Sequence, residues 1–113
     1  MTEPVPAVVL LDQSLSWMDV AAVAGGAELR LAGTAWQRVE HASALVDEIV
    51  QGGDRAYGVT TGVGALADVV VDRAAQSQLS RNIVMSHACG VGPRLGPAAV
   101  RAIMTAQVGN LAH

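Results

Sequence analysis

The sequence predicts a mainly α-helical fold with short β-strands, and two observations support this prediction. Four segments place apolar residues at helical spacing, and glycines follow three of them, as is typical of helix ends. Apolar residues make up 51% of the 113 residues but aromatic residues only 3%, so an aliphatic core is expected. A chain of this length forms one core, and its apolar content excludes disorder. We therefore expect a single domain over residues 1–113, with residues 1–15 partly extended or flexible.

The first predicted elements are a strand over residues 7–11 and a helix capped by Ser16. Asp19 follows Ser16 by three residues, which is a variant of the capping box. The glycine pair at 25–26 would end this helix. Residues 27–31 then alternate between apolar and polar side chains, which predicts a second strand.

Thr34 is the predicted N-cap of a long second helix, whose apolar face extends to the glycine pair at 52–53. Residues 56–60 predict a further strand that enters a glycine-rich loop. A third helix is expected after Asp72. Pro97 suits the first turn of a fourth helix, because that turn leaves backbone N–H groups without helical partners.

The charge balance and hydropathy exclude several classes of function. The net charge is −3, with seven arginines and no lysine. Nucleic-acid binding needs a basic stripe, and without lysine there is no Walker-type phosphate loop and no Schiff-base site. No uncharged apolar run reaches the roughly 18 residues of a membrane span, and the first residues lack the basic region of a secretory signal. We therefore expect a cytoplasmic protein without nucleic-acid or membrane partners.

Cysteine and histidine offer neither disulfide nor metal chemistry. Cys89 is the only cysteine, so an intrachain disulfide is excluded. The three histidines, His41, His87 and His113, lack the spacing of metal ligands, so no metal site is expected. His87 and Cys89 are two residues apart and would point in different directions on a helix, which argues against a nucleophilic dyad.

Two segments have the composition of functional sites. Residues 56–68 begin with a glycine-rich loop that has the only tyrosine, Tyr57, at its base. Glycines let such a loop approach a ligand closely, although on pattern alone a packed Tyr57 beside a sharp bend is the simpler explanation. The second segment places Ser86 and His87 near a helix C-terminus, where a histidine also stabilises the helix dipole.

Taken together, the two segments resemble the N-terminal part of the aromatic amino acid ammonia-lyases. This family includes histidine, phenylalanine and tyrosine ammonia-lyases and related aminomutases. The similarity lies in Ala-Tyr-Gly-Val-Thr-Thr-Gly-Val-Gly-Ala-Leu-Ala-Asp and, about 15 residues later, Arg-Asn-Ile-Val-Met-Ser-His-Ala-Cys-Gly-Val-Gly. It extends over nearly the whole chain, and histidine ammonia-lyases are closest in type.

The resemblance assigns roles to the residues of the glycine-rich loop. Tyr57 corresponds to the general base that removes the β-proton of the amino acid substrate. A free phenol has a pKa of about 10 and is a weak base at pH 7, so this role requires surroundings that favour the phenolate. Gly64 corresponds to a glycine that lines the substrate pocket, and Gly58 and Gly62 would give the loop its mobility. Val63 stands where the family usually has Phe, which affects the shape of the pocket or lid.

The resemblance also assigns the substrate pocket. Ser86 and His87 correspond to the pair that reads the substrate side chain. A polar pair is similar to that of histidine lyases, because an imidazole ligand needs hydrogen-bonding partners. Ser80 departs from the family, which usually has Gln before the Arg-Asn pair.

The cofactor and the length are the largest departures from the family. Family members eliminate ammonia with a methylidene-imidazolone electrophile that forms from an internal Ala-Ser-Gly, and this chain contains no such triplet. The resemblance thus implies a cap region that is incomplete without the central helical bundle and inactive by itself. A larger lyase-like chain, or a homo-oligomer, is the expected partner, with the electrophile on the complementing chain. The alternative is a non-catalytic interaction or ligand-binding module that keeps only the fold.

Overall fold

The computed structural model describes residues 7–113, so the part of the N-terminal prediction that concerns residues 1–6 lies outside the described residues. The elements are, in order, β1 (Val8–Leu11), α1 (Trp17–Ala24), β2 (Glu28–Leu31), α2 (Gly33–Gly52), α3 (Gln76–His87) and α4 (Pro97–Leu111). Short 3-10 helices occupy Gly64–Leu66 and Arg73–Ala75. The predicted fold class, mainly α with short strands, is confirmed.

The described residues form two compact units. The first unit contains the residues up to His41 together with Pro93–His113, and the second contains Ala42–Gly92. Both predicted functional segments lie in the second unit. No helix within residues 7–113 combines the length and the apolar character that a membrane crossing requires.

Two parallel strands and the helix between them open the first unit. β1 pairs with β2 in parallel, with Val8 opposite Glu28 and Leu11 opposite Leu31. Parallel strands cannot be joined by a tight turn, and α1 provides the crossover between them. Val9 and Leu11 are buried, because alternate residues of a strand face the same side.

A complete capping box starts α1, as predicted. The backbone N–H of Asp19 donates to Ser16 Oγ at 3.2 Å. In return, the carboxylate of Asp19 accepts from the backbone N–H of Ser16 at 2.7 Å and from its hydroxyl at 2.6 Å. The helix ends before Gly25, so its predicted end is also confirmed.

The core of the first unit joins the strands to α1. Val9, Ala22 and Val23 form its buried cluster, and partly buried hydrophobic side chains of the neighbouring segments pack against it. α1 also packs on α4. Gly109 of α4 faces Leu15, where a Cβ atom would lie 3.1 Å from Leu15 Cδ1. The absence of a side chain at Gly109 therefore gives Leu15 its room.

The start of α2 differs from the prediction. α2 begins at Gly33, so Thr34 lies in its first turn and is not its N-cap. The reason is a long-range contact: the backbone N–H of Ala32 donates to the Leu11 carbonyl, which extends the sheet pairing up to the helix. The Thr34 hydroxyl donates instead to the carboxylate of Asp12.

The capping box makes part of the stability of α1 depend on pH. Hydrogen bonds from the Ser16 side chain and from its backbone N–H lower the pKa of the Asp19 carboxyl below the ordinary value of 3.8. Because the folded pKa is the lower one, the carboxylate contributes stability above pH 3.8. This contribution disappears as the pH falls through the folded value.

We expect Asp19→Asn to lower the free energy of unfolding at neutral pH, and the difference from the wild type to shrink below pH 3.8. Urea unfolding followed by circular dichroism over a pH series measures this difference. Asp47→Asn removes an exposed carboxylate of α2 and is the control variant. An Asp19→Asn effect of the same size at every pH would contradict the assignment.

Candidate functional site

The chain enters the glycine-rich loop through a turn that carries Tyr57, and not through a strand. The carbonyl of Ala56 accepts hydrogen bonds from the N–H groups of Val59 at 3.1 Å and Thr60 at 3.0 Å. Gly58, inside this turn, has φ +69°, which favours glycine. The predicted strand over residues 56–60 is therefore wrong, because the carbonyl that a strand would offer to a neighbour is used within the turn.

A short antiparallel contact closes the loop. Thr61 pairs with Val70 in an isolated bridge. The N–H of Gly62 donates to the carbonyl of Val69 at 3.1 Å, and the N–H of Val71 donates to the carbonyl of Thr60 at 3.0 Å. Residues 60–62 and 69–71 are thus held side by side. The 3-10 helix Gly64–Leu66 lies in the segment between them.

Tyr57 is an exposed residue with one backbone partner. Tyr57 is 67% exposed, so its interpretation as a packed core residue is wrong. The Tyr57 hydroxyl oxygen accepts a hydrogen bond from the backbone N–H of Gly64 at 3.1 Å. Gly64 has φ +59°, so its backbone takes a conformation that other residues rarely adopt. The loop therefore holds the phenol oxygen while leaving the ring accessible.

Gly62 is required for a steric reason. A Cβ atom at this position would lie 2.6 Å from the Cβ atom of Leu66 and 2.7 Å from its carbonyl oxygen. Both distances are far shorter than a van der Waals contact. Gly58 and Gly62 as sources of loop mobility remain a prediction.

Ser86 and His87 lie side by side at the C-terminal end of α3, both exposed. Ser86 Oγ donates to the carbonyl of Ile83 at 2.9 Å. His87 Nδ1 lies 2.8 Å from the same carbonyl. A carbonyl oxygen only accepts, so in this geometry Nδ1 carries the hydrogen. In the neutral imidazole the Nε2 atom is then an acceptor that is available to a ligand.

Sequence reasoning missed the residues that hold the loop together. Thr60 and Thr61 are buried, with 3% and 1% exposure, although hydroxyl side chains in a loop usually face solvent. An exposed ion pair between Arg55 and Asp68, at 2.5 Å, also links the two ends of the loop. The adjacent threonines between glycines were the sequence signal that could have identified these residues.

Among the described residues, no three His, Cys, Asp or Glu side chains are grouped as metal ligands.

Comparisons with known proteins show which family the chain resembles. The sequence model of the aromatic amino acid lyases matches residues 15–113. Histidine ammonia-lyase from Treponema denticola is 42% identical over 98 residues, which are 86% of this chain and 19% of that protein. Histidine ammonia-lyase from Anaeromyxobacter dehalogenans is 44% identical over 105 residues, which are 91% of this chain and 21% of that protein.

A solved structure agrees with the sequence matches. The ergothioneine-degrading enzyme ergothionase from Treponema denticola, crystallised with desmethyl-ergothioneine sulfonic acid, superposes with a TM-score of 0.86 at 28% identity. The match covers 93% of this chain and 22% of that chain. The chain belongs to the aromatic amino acid lyase family. It spans about a fifth of the length of the curated relatives it matches.

Gly62 offers a direct test of how the loop is packed. We expect Gly62→Ala to destabilise the second unit by about 1–3 kcal/mol, because the added methyl group has no space beside Leu66. Amide hydrogen exchange across residues 56–71, together with urea unfolding, measures the loss. Gly90→Ala is the matched control, since a Cβ atom there meets nothing within 4 Å. Equal stability of the two variants would show that the close approach to Leu66 does not constrain the loop.

Proposed function

We propose that this chain is the part of a histidine-type aromatic amino acid ammonia-lyase that supplies Tyr57 as the general base. The reaction eliminates ammonia from an amino acid and leaves an α,β-unsaturated acid. The observation that carries the proposal is the accessible Tyr57 phenol, whose oxygen is held by the backbone N–H of Gly64. The family membership supports the same proposal.

The contact with Gly64 suits a group that gains and loses a proton. A backbone N–H that donates to the phenol oxygen stays favourable when the oxygen carries negative charge, because hydrogen bonds to anions are stronger than those to neutral groups. As a phenolate, the oxygen keeps a lone pair that can accept the β-proton of a substrate, and Tyr57 then becomes the neutral phenol. Tyr57 is the only tyrosine of the chain, so no second phenol within it can take over this role.

Ser86 and His87 support an imidazole as the substrate side chain. With Nδ1 committed to the Ile83 carbonyl, Nε2 of neutral His87 accepts a hydrogen bond, and an imidazole N–H of the substrate can donate to it. The two curated relatives compared with this chain are histidine ammonia-lyases, which agrees with this choice. We therefore propose histidine as the first substrate to test.

The residues of this chain do not fit the formation of the family's electrophile. The methylidene-imidazolone forms from Ala-Ser-Gly, and the only Ala-Ser pair, Ala42-Ser43, is followed by Ala44. These residues lie inside α2, where the backbone is committed to the helix. We propose that the electrophile comes from residues other than these 113, in a larger lyase-like chain or a continuation of this one. The isolated chain should then be inactive.

Native mass spectrometry of the tagged chain from its own cells tests this assembly. A larger chain in defined stoichiometry, with activity on histidine in the complex, would support the proposal. Isolation of a protein of these 113 residues alone, or only as its homo-oligomer, would leave it without a source of the electrophile. That outcome would favour the non-catalytic interaction module.

Tyr57→Phe should abolish most of the activity of the assembled enzyme. We expect a decrease in kcat of about 10²–10⁴-fold, because the phenyl ring keeps the shape and loses the proton acceptor. Urocanate formation from histidine measures the rate. Amide exchange of α3 and recovery of the partner show that the variant is still folded and assembled. Unchanged turnover in an intact complex would exclude Tyr57 as the base.

His87→Phe should change the choice of substrate. We expect kcat/KM for histidine to fall by about tenfold or more, because the substrate imidazole loses its acceptor. Competition between histidine and phenylalanine, followed by product absorbance, measures the ratio. His41→Phe alters an exposed histidine of α2 and should leave the ratio unchanged. The same preference in both variants would refute the role of His87 in substrate selection.

A further inference from the structure

We infer that Thr60 is a positioning residue for Tyr57, and that its buried hydroxyl holds the phenol oxygen against the Gly64 N–H. This inference rests on the proposed function only where it calls Tyr57 the base. The positioning itself is a geometric property of the loop, and it can be measured without any lyase activity.

Thr60 uses its hydroxyl and its backbone N–H to fix the segment around Tyr57. Its hydroxyl donates to the carbonyl of Asp54 at 2.7 Å and accepts from the backbone N–H of Ala56 at 2.8 Å. Its own N–H donates to the carbonyl of Ala56 at 3.0 Å. The hydroxyl also lies 3.5 Å from the Ala56 carbonyl, so Ala56 and Thr60 are joined by three hydrogen bonds, two of them through the Thr60 side chain. The turn that carries Tyr57 is closed between these two residues.

The same residue also connects this turn to the far side of the loop. The carbonyl of Thr60 accepts from the N–H of Val71 at 3.0 Å, in the pairing that closes the loop. Gly64, which holds the phenol oxygen, lies in the segment that this pairing encloses. Thr60 thus holds both the turn that carries Tyr57 and the closed segment that carries Gly64. These two residues are the partners of the phenol hydrogen bond.

Burial makes the hydroxyl of Thr60 costly to remove. Thr60 is 3% exposed, so water cannot readily replace the hydroxyl at Ala56 N–H and Asp54 C=O. Polar groups that lose a buried partner must be desolvated without compensation, or the segment must move to find another partner. Movement at Ala56 displaces Tyr57, which is the next residue. The hydroxyl, and not the methyl group, is therefore the part of Thr60 that positions the base.

Two substitutions at Thr60 separate the hydroxyl from the methyl group. Thr60→Val keeps the shape and removes the hydroxyl, whereas Thr60→Ser keeps the hydroxyl and removes the methyl group. Thr105→Val is the matched control, because Thr105 is equally buried at 3% and its hydroxyl donates to the Arg101 carbonyl within α4. The readouts are amide exchange of Gly64 and the ring chemical shifts of Tyr57, measured by NMR on the full chain.

We expect Thr60→Val to speed exchange of the Gly64 amide by about tenfold and to shift the Tyr57 ring signals. Thr60→Ser and Thr105→Val should both stay within about twofold of the wild type. Unchanged Gly64 exchange in Thr60→Val, or a loss of protection in Thr60→Ser as large as that in Thr60→Val, overturns the inference. If Thr60→Val does not fold, the Thr60→Ser variant is the test. Retained protection of the Gly64 amide in Thr60→Ser would support the positioning role, and a loss of protection of about tenfold would overturn it.

The results of the Tyr57→Phe and Thr60→Val experiments distinguish a failure of this inference from a failure of the proposed function. An active Tyr57→Phe enzyme would remove the catalytic role of the phenol and leave the Thr60 measurement unaffected. Conversely, a Thr60→Val chain with normal Gly64 exchange would remove the positioning role and leave Tyr57 as the candidate base.

Discussion

The hydrogen-bonded pairing of residues 60–62 with residues 69–71 is the contact on which the candidate site depends. It brings both ends of the glycine-rich segment together and leaves Gly64–Leu66 as a compact bend between them. Without this closure, Tyr57 and Gly64 would be separated by six residues of open chain. The ion pair of Arg55 with Asp68 adds little to the closure, since exposed ion pairs contribute weakly.

Local signals predicted the parts of the fold that depend on neighbours in sequence. Ser16 and Asp19 form their capping box within three residues, and Pro97 starts α4 where its missing N–H costs nothing. The start of α2 could not be predicted from Thr34, because the sheet pairing of Ala32 with Leu11 sets it across about 20 residues. The same limit applies to residues 56–60, whose apolar composition suits a strand but whose hydrogen bonds form a turn.

The sequence predicted which residues belong to the candidate site better than it predicted how they contact one another. The loop motif indicated Tyr57 and Gly64 as site residues through the family resemblance, and the hydrogen bond between them is a structural finding. Gly62 is required because of its close approach to Leu66, and no spacing rule connects these two residues.

Many large hydrophobic residues are also exposed, including Leu10 at 62% and Ile103 at 58%. Exposed apolar surface of this extent is typical of a protein–protein interface.

The first unit is split in sequence around the second, and this arrangement affects folding during synthesis on the ribosome. The second unit is continuous in sequence, and its loop closes over about ten residues, so it can form while the chain is still emerging. The first unit is split, because α4 must pack on α1 from about 80 residues away. Nascent chains that end before Pro97 would therefore expose the apolar face of α1 to chaperones, even when the glycine-rich loop has already folded.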